Sequence, residues 1–343
     1  MKTALITNEI LFRGGINVNT VRKMFMMKSV QNILKTCLNV QPGENLLVLT
    51  DTNTIEIGEM FALVGKGMDA EVVMTIMNPT TRHGDEPPRI IAEAMKAADA
   101  IVAPTTFSIN HSTARKEASN AGARLIFMPD ANEEVFLDGS LDIDFYAQKE
   151  KIDKLSAIFE AGSRIRVTSE LGTDLTMDIS GRHAVPQTGI CHEPGSISPP
   201  PCIESAVAPV EGTTEGTIVI DGAVVPGRAC VDPITIVFEK GRIVSIEGKE
   251  DADMLRRTLE SYNHPNVYCA VEFGMGMNPK AKIGRGGQLE DEAEFGTMHI
   301  GIGNGITFGS SIRAPGHCDL VMRDPVIEVD GKILMKDGEL FLN

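Results

Sequence analysis

His317-Cys318-Asp319 sets an imidazole and a carboxylate two residues apart, directly before Leu320 and Val321. Strand side chains alternate, so a strand starting here puts His317 and Asp319 on one face and Cys318 on the other. A neutral imidazole beside a carboxylate suits a divalent metal, although such pairs also arise by chance. A second histidine, His299, lies in FGTMHIGIGNG, where glycine recurs every second or third residue. Glycine-rich strands pack poorly and permit close backbone approach, so a functional reason for them is expected. Upstream, Glu272 is a lone acid in the apolar run VEFGMGMNP. A buried, unpaired carboxylate is costly, and Glu272 therefore needs a cation, a proton or strong donors. Arg285 and Arg313 are the arginines that would meet that need by simple pairing. Glu204 poses the same problem just after a proline-rich stretch. Together Glu204, Glu272, His299, His317 and Asp319 can supply five ligands to two divalent ions about 3.5–4 Å apart.

Three carboxylates against two divalent ions leave a local charge of about +1, enough to activate a bound water near neutral pH. Glu204 or Glu272 would then bridge the ions, with the other three residues completing the shells. Were that water to attack a carbonyl, a donor for the developing oxyanion would be needed, and Arg313, His192 and His183 are the candidates. His264, beside Pro265, reads as a helix-terminal histidine. It is also the residue that could join His317 and Asp319 in a two-histidine, one-carboxylate iron site. His83 and His111 fall in the N-terminal half.

The elements that must carry these residues come in two styles. In the first 150 or so residues, strand signals at 45–50, 71–77, 100–104 and 123–129 alternate with helical ones at 55–67, 87–100 and 111–121. That rhythm predicts a parallel sheet with helices on its faces. No G-x-G-x-x-G or Walker-type glycine pattern follows any of the strands, so a phosphate-cradling role is unsupported. From about residue 162, alternating runs separated by Gly and Asp-Gly turns predict an antiparallel-rich β domain. Hairpins are expected at Lys240-Gly241 and Asp330-Gly331, and one helix over 250–262. Segment 185–203 has five prolines and is expected to be irregular. The predicted organisation is an α/β domain over 1–160 and a β-rich, metal-binding catalytic domain over 161–343.

Composition narrows the partners. Lys+Arg is 32 against 47 Asp+Glu, a formal charge of -15. No basic stripe survives that excess, so nucleic acid and anionic membrane are poor partners, and a small molecule or short peptide is expected. No apolar run approaches the roughly 18 residues of a membrane-spanning helix. Glu9 interrupts the N-terminal apolar stretch, which argues against a secretory signal. Six scattered cysteines without a CxxC pair suit a reducing cytoplasm better than a disulfide framework.

The order and local wording of these motifs resemble the thermophilic aminopeptidase family of metallopeptidases, the aminopeptidase T and aminopeptidase S group. Glu204 precedes Ala208-Pro209, and Glu215 to Ile218 reads E-G-T-I. Glu272 through Pro279 follows the family's E-x-G-x-G-x-N-P. Asp291-Glu292, then Gly296 to His299, follows its D-E and G-T-x-H, and His317 to Asp319 its closing H-x-D. Ser108, His111, Ala114 and Arg115 extend the likeness to the N-terminal half. The resemblance implies two divalent ions (Zn, Co or Mn) on Glu204, Glu272, His299, His317 and Asp319, amide or peptide hydrolysis, and a homodimer. The family's catalytic tyrosine lies between its last two histidines, whereas this chain has no tyrosine after Tyr268 and only a brief interval there. Both departures are similar to a sister family, the 2,5-dihydroxypyridine 5,6-dioxygenases, which bind one Fe(II) through two histidines and an aspartate. Their closing pair matches His317 and Asp319. Their other histidine aligns with Glu272, and the G-T-x-H histidine is absent from them. Ligand retention makes a metallohydrolase the leading expectation, with Glu204, Glu272, Arg313 and His192 as catalytic candidates. A mononuclear Fe(II) ring-cleaving dioxygenase is the second, and a non-catalytic binding module the third.

Overall fold

A computed structural model describes residues 18–137 and 139–342. The chain divides into two units, one formed by 1–142 with 191–197 and the other by 143–190 with 198–343. The boundary thus falls at residue 142 rather than 160. The reason is the helix Phe145–Ala161, whose buried face includes Phe145, Ile152, Leu155 and Phe159. Phe159 meets Phe273 edge to face at 5.7 Å, and the Ser156 hydroxyl lies 2.8 Å from that of Ser205. These contacts tie the helix to the second unit.

The first unit is built on β1 (Asn45–Asp51), β2 (Glu71–Met77), β3 (Ala100–Ala103) and β4 (Arg124–Phe127). They pair in parallel in the order β2-β1-β3-β4. Apart from Asn45, every residue of β1 is buried, as a strand covered on both faces requires. Helices Ile55–Gly67, Arg89–Ala97 and Thr113–Asn120 alternate with the strands. The second of these starts two residues later than expected because Pro88 takes the N-cap position. Ser112 caps the third by accepting the Arg115 N–H at 3.1 Å. The returning segment 191–197 adds to the same unit, where Leu125 N–H donates to Ser196 O.

The second unit carries β5 (Arg164–Thr168), β6 (Asp174–Asp178) and β7 (Ala184–Gln187), while β8 (Ile197–Ser198), at the crossover, joins β4 at the edge of the first sheet. There follow β9 (Glu204–Val207), β10 (Glu215–Ile220), β11 (Ala223–Val225), β12 (Arg228–Ala229), β13 (Ile234–Glu239) and β14 (Arg242–Glu247). The helix Glu250–Ser261 precedes β15 (Ala270–Gly276), β16 (Thr297–Gly303), β17 (His317–Arg323), β18 (Val326–Val329), β19 (Lys332–Lys336) and β20 (Glu339–Leu340). Among the described residues two antiparallel sheets result, in the orders β14-β13-β10-β6-β5-β18-β19-β20 and β12-β11-β17-β16-β15-β9-β7. An α/β unit followed by an antiparallel β-rich unit is the fold class expected from the sequence.

Both predicted hairpin turns are present. Lys240 and Gly241 have φ of 49° and 71°, and Asp330 and Gly331 have 50° and 77°. Two left-handed residues in a row give the turn whose twist matches the flanking strands. The 185–203 stretch is not wholly irregular, which corrects the expectation drawn from its prolines. Ala184–Gln187 pairs with β9, and Pro186 is tolerated because β7 is an edge strand. No helix among the described residues is long and apolar enough to cross a membrane.

The two sheets differ in burial. In β5 and β13 buried and more open residues alternate, so that sheet has one apolar face. In β15 and β16 every residue is buried. The middle of the second sheet is therefore covered on both sides, and any charge on those strands must be satisfied inside the protein.

Candidate metal centre

Cross-strand register explains why the charged residues meet. Glu272 pairs with Gly301, which pairs in turn with Asp319; His299 pairs with Gly274, His317 with Gly303, and Glu204 with Gly276. Each acid or imidazole thus faces a glycine on the adjacent strand. A Cβ on Gly274 would lie 2.1 Å from His299 Nε2. One on Gly301 would lie 2.6 Å from Glu272 Oε2 and 2.7 Å from His317 Cε1. Side chains over neighbouring strands compete for one surface, and glycine clears the space that five functional groups fill. This is the physical content of the Gly-x-Gly phrases.

Glu272 is the pivot. Its Oε1 lies 3.5 Å from His299 Nε2, and its Oε2 lies 3.0 Å from His317 Nε2. His299 Nε2 is also 3.2 Å from Glu204 Oε2, and His317 Nε2 is 2.9 Å from Asp319 Oδ1. Two three-residue groups with metal-ligand spacing follow, Glu204–Glu272–His299 and Glu272–His317–Asp319, with Glu272 common to both. Among the described residues no such group contains both histidines. The arginine pairing considered for Glu272 does not occur: Arg285 binds Glu290, and Glu272 meets two imidazoles instead.

Electrostatics show a cluster built for positive charge. Burial pushes the Glu204 carboxyl up to about 8, with Glu272 and Asp319 adding to the rise and His299 opposing it. For His299 burial works against the charge, but Glu204, Glu272 and Asp319 outweigh it and raise the imidazole to about 10. His317 is likewise held protonated well above its ordinary range, because Asp319 and Glu272 overcome the cost of burial. Asp319 stays below its ordinary value despite burial, through its contact with His317. Protons here do what a cation would do. Glu204 Oε2, Glu272 Oε2 and His299 Nδ1 are buried without an aligned hydrogen-bond partner. The two carboxylate oxygens converge on the imidazoles, and such buried, unsatisfied acceptors fit a divalent ion; the oxygen and imidazole donors suit Fe, Mn, Co or Zn.

Supporting groups hold the cluster in place. Gln187, on β7, donates its amide to Glu204 Oε1. His317 Nδ1 lies 2.9 Å from Asn304 O, and an N–H there leaves Nε2 facing the carboxylates. Glu292 hydrogen-bonds Asp319, and burial together with Asp319 and Glu204 raises its carboxyl well above the ordinary range. Glu292 was visible in the D-E phrase, but nothing in its spacing pointed to this contact. Gln187 and Asn304 had no sequence signal.

The other candidates belong to neither ligand group. His192 lies in the first unit, where Nε2 meets Thr36 O at 2.8 Å, and it belongs to neither ligand group. Arg313 is exposed, and its carbonyl accepts from Asn266 Nδ2. The His183 side chain is 95% exposed. His264 caps the turn Pro265–Tyr268 by accepting from Asn266 N–H, as a helix-terminal residue does.

Comparison with known proteins places this centre. The family described as NicX, 2,5-dihydroxypyridine 5,6-dioxygenase, matches residues 25–342. The chain belongs to that family. A 2,5-dihydroxypyridine 5,6-dioxygenase of Pseudomonas putida strain KT2440 is 25% identical over 258 residues, covering 72% of each protein. The solved 2,5-dihydroxypyridine dioxygenase of Pseudomonas putida KT2440 superposes with a TM-score of 0.79 at 22% identity, over 92% of this chain and 96% of that one. Wild-type AmpT from Thermus thermophilus gives 0.69 at 17% identity, over 93% and 99%. Both families of the sequence resemblance therefore share this fold. The chain's own family is one of dioxygenases, so the leading hydrolase expectation yields to the ring-cleaving one.

Two consequences are testable. Gly301→Ala forces Glu272 and His317 apart and weakens metal binding about 10–100-fold, the range seen when a ligand's support is lost. Calorimetric metal titration checks this, and unchanged affinity would contradict it. The upward shifts of Glu204 and His299 also set a pH slope. Glu204 stabilises the fold fully below its unfolded value of 4.5 and loses that contribution as pH rises through about 8. His299 does so between 6.5 and about 10. The metal-free protein therefore loses stability as pH rises from about 5 to 10, and metal loading flattens the slope. Thermal unfolding after chelation measures it; a Tm that rises over that range would contradict the assignment.

Proposed function

We propose that this chain is a metal-dependent ring-cleaving dioxygenase acting on a hydroxylated heteroaromatic of the dihydroxypyridine class. The reading is carried by family membership over residues 25–342, joined to an imidazole and a carboxylate, His317 and Asp319, at the more open side of the cluster. Glu272, His317 and Asp319 would hold the ion. A bound Fe(II) supplies the positive charge for a ring oxygen and the redox capacity that ring opening by dioxygen requires. The chain's residues do the rest. Asn304 O orients His317, Glu292 holds a proton against Asp319, and the buried apolar residues of β15 to β17 keep water from the far side of the sheet.

A specific observation supports a second reading. Glu204–Glu272–His299 is a complete extra ligand group, and one carboxylate shared between two groups suits a dinuclear hydrolase acting on an amide. Six free thiols fit a reducing cytoplasm in either case, and a homodimer with a small-molecule substrate remains the proposal that the resemblance carries.

The two readings separate on oxygen. Protein loaded with Fe(II) under anaerobic conditions and then given 2,5-dihydroxypyridine in air is expected to consume O2 in step with loss of the ring's ultraviolet absorbance. Asp319→Ala is expected to abolish both signals. No oxygen uptake, with amine released from amino-acid amides by Zn-, Co- or Mn-loaded protein, would overturn the dioxygenase reading.

A further inference from the structure

The five side chains of the cluster are unequally exposed. The side chains of Glu204, Glu272 and His299 are 2–3% exposed, that of Asp319 is 11% and that of His317 is 25%. His317 is thus the most open of the five. Beside His317 stands Phe308, its ring stacked on the imidazole at 5.5 Å between centroids and 29° between planes. Phe308 lies in the turn Ile306–Phe308, none of whose residues is buried, so the ring is not there to fill a core.

The turn is nonetheless firmly held. Asn304 N–H donates to Gly316 O at 2.8 Å, and Gly305 N–H to Ile312 O at 3.1 Å. Glu211 Oε1 accepts from Ser310 Oγ at 3.0 Å, Ser311 N–H at 2.8 Å and Ser311 Oγ at 3.0 Å. The same Glu211 pairs with Arg182, which also donates to Gly309 O at 3.0 Å. A partly exposed aromatic ring on an anchored loop, stacked on a site imidazole, is a preformed flat surface beside the more open side of the cluster. Preorganised aromatic faces bind planar rings at little ordering cost.

We propose that Phe308 is the stacking contact for the substrate's ring, and that it selects planar aromatic substrates over flexible ones at this site. The proposal rests on the ring-cleaving reading above. It places Phe308 among the residues that touch substrate and leaves metal retention to the cluster.

The test compares Fe(II)-loaded wild type, Phe308→Leu and Phe308→Tyr. Each is titrated anaerobically with 2,5-dihydroxypyridine by ring absorbance, then assayed in air, with iron content measured throughout. Phe308→Leu is expected to raise Kd and KM about three- to tenfold, the worth of one aromatic contact. Its kcat is expected to stay within about twofold, its iron content to stay unchanged, and Phe308→Tyr to restore binding. Wild-type Kd and KM in an active Phe308→Leu would overturn the proposal while leaving the ring-cleaving reading intact. Iron lost from both variants would overturn it too, by making Phe308 a support for His317. A wild type that neither binds nor consumes the pyridine would bring down the reading itself, before any variant is made.

Discussion

The second unit depends on one constraint: three carboxylates and two imidazoles share one face of a sheet whose central strands are buried on both sides. Glu204, Glu272 and His299 are sealed from solvent and His317 and Asp319 are only partly open, so each must be satisfied chiefly by another or by a cation. Glu272 solves most of the problem, because its two oxygens each face a different histidine. Around that pivot everything else is accommodation. Glycines stand opposite each functional residue, Gln187 holds Glu204, and Asn304 turns His317. Without an ion, protons on Glu204, His299 and His317 supply the missing positive charge, and the fold becomes sensitive to pH.

Much of this was legible in the residues. Strand period two put His317 and Asp319 on one face, and the cost of a buried lone acid singled out Glu272. The glycine-rich phrases announced close packing, which the register resolves into specific Gly–His and Gly–Glu neighbours. What sequence could not show was register itself. Gln187 reaches Glu204 only because β7 pairs with β9, and a proline within β7 hid that strand. The domain boundary was misplaced for a similar reason: the helix Phe145–Ala161 is read by its neighbours, and Phe273 is 114 residues further along the chain than Phe159.

The likeness to two enzyme families is intelligible in the same terms. A sheet that can bury this many charges is a scaffold for metal chemistry, and the reaction depends on which ligands are kept and how many ions they hold. This chain belongs with the dioxygenases across nearly its whole length, yet it retains Glu204 and His299 beside the His317–Asp319 pair. The shared Glu272 is where a one-ion centre and a two-ion centre overlap, and it is needed by either.

The most direct test of the account is therefore metal stoichiometry in Glu272→Ala, measured anaerobically with Fe(II), Zn(II), Co(II) and Mn(II) beside the wild type. Removal of the pivot is expected to abolish stoichiometric binding of every ion while the purified protein keeps its β-rich far-ultraviolet signature. Full occupancy in a folded Glu272→Ala would contradict the central claim that both ligand groups turn on this one carboxylate.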